Sequence, residues 1–490
     1  MDSEQLTDAS DNELWTMLGD ATALPRAELL CELGQRAALR GEYGRAASLF
    51  GSAGTTSAEH GDATLAGFAF SQQGMALFDA DEFGEAAVAH TQSVTQYHLA
   101  GRAEEAAHVL WAQAAAFLEG GDMDGCLTTT IAARSLAESE DLPELAGRAC
   151  LLQARALNAL DRELEALDAC EAGRQFSRSA GEPTLVAQID DFRLTLCLAL
   201  GRLDQALELA TGCFVLAKAS GLPEDAARAE LRLAETHLTR GEADLALVHA
   251  EQARARHTDV AEMLGAARCD RVRGDALFEL DRADEAIAVF TQARVLFDAN
   301  GHDLDSLRCD ADRAVVLHMV GRFADAATLN ARLVAAYHNM THNGVSVDLS
   351  WSVARLADNY LALDDPRATF DVTHEWVDRL DAHDADAKAP LINTLAAHAR
   401  ATEALSGLAP AAQIAERVLS LTSQSQVNRN TAWMYDIRAR HLLESNDPRA
   451  EHALAQAIAM HLAMGCTDRA RELSKHFLPA PGELHTSVAD

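Results

Sequence analysis

Apolar side chains along this chain recur at intervals of three and four, and no stretch sustains an alternation of two. Between residues 264 and 296 the apolar positions are Leu264, Ala267, Val272, Ala276, Leu277 and Leu280, then Ala286, Ile287, Phe290, Ala293 and Leu296. That spacing is one face of a helix, met twice. Two helices separated by a short turn are therefore predicted, and no strand. The same pattern returns forty residues away in both directions. Stepping by forty from Ala286 lands on Ala46, Ala86, Cys126, Ala166, Ala206, Ala246 and Ala326. Twelve residues before these positions lie Gly34, Gly74, Ala114, Ala154, Leu194, Ala234, Gly274 and Ala314. Small residues at nearly all of both marks predict that the two helices of a unit approach closely there.

Turns follow the same count. Gly41, Gly121, Gly201, Gly241 and Gly321, with Asp81, Asp161 and Asp281 in the remaining slots, separate the two helices of each unit. Gly61, Gly101, Gly181, Gly221 and Gly301 separate one unit from the next. Glycine suits a helix end in the left-handed conformation. Pro143, Pro183 and Pro223 follow at equal spacing, where a proline opens a helix. After Ala326 the count breaks, because YHNMTHNGVSVDLS (337–350) lengthens one connection. The pattern resumes loosely around Pro366, Pro410 and Pro448, each suited to a first helical position, with Asp365 and Asp447 as N-caps. The predicted organisation is a capping segment (1–23), regular repeats (24–336), the inserted connection (337–350), divergent repeats (351–477) and a disordered tail (478–490), about eleven helix pairs in all.

Small-x(11)-Ala-x(3)-apolar-x(2)-Ala, carried in full by Gly34/Ala46/Phe50/Ala53 and Gly274/Ala286/Phe290/Ala293, resembles the tetratricopeptide repeat (TPR). The forty-residue unit exceeds the usual 34 and is similar to the lengthened repeats of bacterial regulators of the MalT-like class. The resemblance implies an all-α, right-handed α-solenoid, a superhelix of TPR-like repeats whose first helices line a concave groove. It also implies a non-enzymatic scaffold or adaptor that binds a protein or peptide in that groove. A regulatory sensor for a small molecule or signalling peptide, acting on a partner chain, is the second reading.

Charge narrows the partners. Acids outnumber bases 75 to 41, a formal net charge of −34, which repels nucleic-acid phosphate and acidic membrane surfaces. No basic or apolar leader opens the sequence and no long apolar run interrupts it, so a cytoplasmic chain is expected. The nine cysteines contain no CxxC pair and occupy small apolar positions of the repeat, as Cys126, Cys170 and Cys213 do, so packing is their expected role. No GxxxxGK[ST], GxSxG, HExxH or dinucleotide fingerprint occurs, and neither an enzyme nor a cofactor is expected. His338 and His342 share a helical spacing but lack an acidic or cysteine partner for a metal.

Arg148, Arg228, Arg268 and Arg308 recur at one phase of the first helix. With Arg155 and Arg271 further along their helices, they form a candidate guanidinium ladder in the groove, suited to acidic side chains or a C-terminal carboxylate. Trp111, Asn158 and His318 are further groove candidates by phase, as are Phe78, Glu235, Asp275 and Phe278. The competing account pairs each arginine with acids of its own chain, and Asp190/Arg193, Asp270/Arg273 and Asp310/Arg313 already repeat an i, i+3 motif. The C-terminal units and the 337–350 insertion are candidates for self-association.

Overall fold

A computed structural model describes residues 9–340, 346–381, 388–422 and 428–477. Among these residues every regular element is helical. Twenty-two helices run from Ala23 to Ala463 as eleven consecutive first-and-second sets, after a leading helix Asp11–Asp20 and before a closing helix Thr467–Ser474. The chain divides into two compact units, Met1–Arg240 and Gly241–Asp490. The first holds five helix pairs, from Ala23–Leu39 with Tyr43–Glu59 to Pro183–Ala199 with Leu203–Ser220, and ends on Pro223–Thr239. The second opens with Ala243–Asp259 and continues through five pairs, from Met263–Glu279 with Ala283–Ala299 to Arg429–Glu444 with Ala450–Ala463. Within each unit, neighbouring helices form a row of packed elements with several separate cores, one extended (Leu14 to Ala116 in the first unit, Leu333 to Ile437 in the second) and others small, as in TPR-like repeats. No described helix is long and apolar enough to cross a membrane.

The turns lie where the period of forty places them. Gly41, Gly121, Gly201, Gly241 and Gly321 have positive φ, and so do Asp81, Asp161 and Asp281 in the intervening slots. The second set, Gly61, Gly101, Gly181, Gly221 and Gly301, is also left-handed, with Asp141 and Ala261 completing it. Pro143, Pro183, Pro223 and Pro366 each begin a helix, where the missing N–H leaves no partner unsatisfied. Asp365 caps its helix by accepting from the Ala368 amide at 2.9 Å. Pro448 differs from expectation: its helix starts at Ala450, because Asp447 accepts from the Arg449 amide at 2.8 Å and holds that residue outside it. Pro410 falls in the first turn of Leu408–Leu421 instead of at its first residue. The tail 478–490 and His342 lie outside the described residues.

Size complementarity explains why the small mark varies from unit to unit. The residue sixteen positions later sits buried against it. Gly34 faces Phe50, Gly74 faces His90 and Gly274 faces Phe290, and a Cβ added at these glycines would come within 2.9, 2.5 and 2.5 Å of the rings. Where the mark is Ala154, the partner in the same core is Cys170. Where it is Leu194, the partner shrinks to Ala210. These five units thus fill the interhelical gap from one side or the other, as close packing requires. The cysteines follow suit: burial pushes the Cys126 and Cys213 thiols up to about 11 and Cys170 to about 12, which removes thiolate character near neutral pH.

Candidate binding site on the first helices

The first helix of a unit carries charged side chains on two sides, and they are treated differently. On the side facing the preceding second helix, a buried or half-buried aspartate is held by two arginines. Asp190 takes Arg174 at 2.9 Å and Arg193 at 2.8 Å. Asp270 takes Arg254 at 2.7 Å and Arg273 at 2.5 Å. Asp310 takes Arg313 at 2.5 Å, with Arg294 at 3.8 Å. The i, i+3 motif legible in the sequence is therefore half of a three-residue clasp that ties two helices together. Asp436 is held differently, by Arg440 of its own helix at 2.5 Å, His461 of the following helix Ala450–Ala463 at 3.3 Å and Arg469 of Thr467–Ser474 at 2.6 Å. The guanidinium bonds hold its carboxyl below the ordinary range although burial opposes them.

The other side faces the next first helix, and polar rungs cross between helices about forty residues apart in sequence. In the Gly241–Asp490 unit these are Arg271 to Asp312 at 3.4 Å, Arg308 to Asp348 at 3.5 Å and His318 Nδ1 to Asn359 Oδ1 at 2.8 Å. They continue with Asn430 Nδ2 donating to Asn393 Oδ1 at 2.9 Å and Arg440 Nη2 to Glu403 at 3.1 Å. Arg232 to Asp191 at 2.6 Å is the counterpart in the Met1–Arg240 unit.

Four half-buried charged groups in the same stripe make no ion pair within 4 Å among the described residues: Asp275, Arg355, Asp358 and Arg400. Burial, reinforced by the Asp312 charge and opposed by Arg271, pushes the Asp275 carboxyl up to about 7. Burial also raises Asp358, against the pull of Arg400 and His318. It lowers both Arg355 and Arg400. Each of these arginines lies over an indole, Arg355 at 5.7 Å from the Trp351 ring centre and Arg400 at 5.3 Å from that of Trp433. An indole face attracts a guanidinium but does not neutralise it.

Four of the six arginines of the predicted ladder make ion pairs within the protein. Arg148 pairs with Glu144 at 2.6 Å and lies 5.9 Å above Trp111. Arg228 pairs with Asp225 at 2.5 Å, and Arg308 reaches Asp305 at 3.6 Å besides Asp348. Arg271 is committed to the Asp312 rung. Arg268 is exposed and makes no ion pair among the described residues, because Leu264 and Gly265 stand where its companions have acids. Arg148, Arg155 and Trp111 do come together with Gln188 and Thr184 around a cleft of about 260 Å³ in the Met1–Arg240 unit. Asn158 is half-buried one turn beyond Arg155. His318 is held by Asn359 and meets the Phe323 ring edge-on at 5.1 Å. Of the other phase candidates, Glu235 is taken by Arg232 at 2.7 Å and Phe78 packs on Phe83 at 5.2 Å. His338 lies edge-on to Trp376 at 5.3 Å.

Arg355, Asp358, Arg400, Trp351 and Trp433 are absent from the sequence-derived set. They lie past the 337–350 insertion, where counting by forty no longer carries the phase. One local signal was available: Trp351 and Arg355 stand at i, i+4 in WSVAR.

No family model matches the chain, and no curated protein matches it. Solved structures do resemble it in part. The apo form of the quorum sensor NprR from B. thuringiensis aligns over 69% of this chain and 99% of its own, at 12% identity and TM-score 0.45. A Rap protein complexed with competence and sporulation factor aligns over 72% and 97%, at 12% identity and TM-score 0.44. A signal-transduction ATPase with a tetratricopeptide repeat sensor from Pyrococcus horikoshii aligns over 84% of this chain and 55% of its own, at 11% identity and TM-score 0.44. At these scores the neighbours carry no functional argument. The helix pairs, their turns and their close-contact positions make the chain a TPR-like helical repeat protein on their own.

Proposed function

We propose that the stripe formed by the first helices of the Gly241–Asp490 unit binds an extended peptide or a segment of a partner protein, and that the chain acts as a scaffold or adaptor without chemistry of its own. The observation that carries this reading is the set of four half-buried, unpaired charges on that stripe. A buried charge without a partner costs stability. Groups kept unsatisfied at such cost mark functional surfaces, and a bound segment would supply the missing partners. The rungs between first helices supply polar groups of both signs along the same path. A partner bearing acidic side chains or a free C-terminal carboxylate suits the arginines, including the unpaired Arg268. The Trp111–Arg148–Arg155 cleft is a second point of contact in the other unit.

A sensor reading draws on the rungs themselves. A ligand that displaced Arg271 from Asp312 or Arg308 from Asp348 would change how neighbouring repeats sit, and a partner chain could read that change. Small-angle scattering with and without bound peptide separates the two: a sensor changes its radius of gyration and an adaptor does not.

Panning short displayed random peptides on the full chain tests the site. Asp275→Lys combined with Arg400→Glu should weaken the selected binders by about tenfold or more, equivalent to roughly 1.4 kcal/mol, while helicity by circular dichroism stays unchanged. Binders indifferent to this double reversal would place recognition elsewhere.

A further inference from the structure

We infer that the cleft between the second helices Pro366–Asp381 and Leu408–Leu421, floored by the first helix Lys388–Ser406, binds an organic cation, a guanidinium or ammonium head on a short apolar stem, and releases it as the pH falls. The site is separate from the stripe proposed above: His398 and Arg400, two residues apart, leave Lys388–Ser406 in different directions.

The cleft stands where other units place a clasp. In the clasps of Asp190, Asp270 and Asp310, the arginine of the second helix is that helix's twelfth residue, and the aspartate and arginine of the first helix are its eighth and eleventh. The same positions here are Val377, Leu395 and His398. Two aliphatic side chains and an imidazole thus replace an acid and two guanidinium groups. Beside them opens a cleft of about 270 Å³, with Gln413, Ile414 and Arg417 on the facing second helix.

The free polar groups of this cleft are acceptors. Thr373 is buried and its hydroxyl donates to the Thr369 carbonyl at 2.8 Å, so it accepts from His398 Nδ1 at 2.7 Å. That places the proton of the neutral ring on Nδ1 and leaves Nε2 a lone pair with no hydrogen bond among the described residues. Burial, and then the nearby His374, lowers the pKa of His398 against the pull of Asp378, which keeps the ring neutral at pH 7. Phe370 braces both imidazoles: its ring centre lies 4.8 Å from that of His398 and 5.4 Å from that of His374, and the imidazoles are 6.1 Å apart. Asp378 shares a helix face with His374, lines the cleft, and has no ion pair among the described residues. The lining guanidinium, Arg417, is already held by Asp381 at 2.6 Å.

The cleft therefore carries one uncompensated negative charge and a free imidazole acceptor beside the apolar Val377, Leu395 and Ile414. Its complement is a charged donor on an aliphatic stem. A metal ion fits less well, because no group of three His, Cys, Asp or Glu side chains suited to one occurs among the described residues. The formal charge of −34 raises the concentration of cations around the chain.

The charged and titratable groups around the cleft are His374, Asp378 and Asp381 from Pro366–Asp381, His398 from Lys388–Ser406 and Arg417 from Leu408–Leu421. Val347–Ala362 and Arg429–Glu444, which also pack on Lys388–Ser406, contribute none to its lining. Protonation of either imidazole puts a positive charge where the ligand sits, and on His398 it also turns Nε2 into a donor. Cation binding weakens accordingly as the pH falls.

The test titrates the full chain with n-butylguanidinium and n-butylammonium by ligand-observed NMR at about pH 7.5 and about pH 5.5. Affinity should be about tenfold or more weaker at the lower pH, and about tenfold weaker at the higher pH in Asp378→Asn, an exposed substitution that leaves helicity unchanged. In His374→Gln/His398→Gln, whose amides do not titrate, the pH effect should shrink below about twofold. A blocked arginine peptide identifies the source: tighter binding of the peptide assigns the cation to a partner's side chain, tighter binding of the free cations to a small metabolite, and both support the site. Equal wild-type affinity at the two pH values would overturn the inference without requiring any variant to fold. So would wild-type affinity in Asp378→Asn, the lack of saturable binding up to roughly 10 mM, or Zn²⁺ alone bound more tightly than either cation and lost on the same substitutions.

Discussion

Asp270 and Asp275 lie on one helix, five residues apart, and the protein treats them in opposite ways. Asp270 is fully buried and clasped by Arg254 and Arg273. Asp275 is half-buried, has no ion pair among the described residues, and is displaced to about 7 by its surroundings. The first faces the preceding second helix, where the only task is to hold two helices together. The second faces the stripe of first helices. Repeat packing therefore does not force carboxylates to go unpaired. On the stripe side some carboxylates meet arginines, as Asp312 meets Arg271, and Asp275 does not.

Substitutions along Met263–Glu279 sharpen this contrast, the largest first. Asp270→Ala strands two arginine side chains in a half-buried setting and should cost about 3–5 kcal/mol in urea unfolding. A loss below about 1 kcal/mol would mean that the clasp is decorative. Gly274→Ala drives a methyl into the Phe290 ring and should cost about 1–3 kcal/mol. Adding Phe290→Leu should recover part of that loss, which a mere helix-propensity effect would not allow.

Asp275→Asn should have the opposite sign. Because the folded chain raises this carboxyl from its ordinary value toward 7, the ionised form is disfavoured in the folded state. Its penalty is absent below the unfolded pKa, grows as the pH rises through the interval up to 7, and is complete above it. The asparagine variant should therefore gain about 1 kcal/mol at pH 8, roughly 2–4 °C in Tm, and the gain should fade as the pH is lowered toward 4. A gain independent of pH would mean that desolvation is not the cause. Arg268→Ala, exposed and unpaired, should leave stability within about 0.5 kcal/mol and register only in peptide affinity.

How far the sequence reaches can be seen in particular residues. The left-handed positions, including Asp81, Asp161 and Asp281, follow from the period of forty, because a turn between two close-packed helices demands the same backbone each time. The pairs of Arg148 and Arg228 were legible too, since Glu144 and Asp225 stand one helical turn away. The rungs were not. Whether Arg271 meets Asp312 depends on how two first helices cross, and local periodicity does not contain that crossing. Arg355 and Arg400 were hidden for a simpler reason, the broken count after Ala326. Their distinguishing property is the absence of a partner in three dimensions, for which no linear pattern exists.

Hydrogen–deuterium exchange of the full chain, with and without a selected peptide, tests the central claim most directly. New protection should fall on the first helices Met263–Glu279, Asp303–Met319, Val347–Ala362 and Lys388–Ser406 and leave the second helices between them unchanged. Protection confined to the second helices would contradict the account.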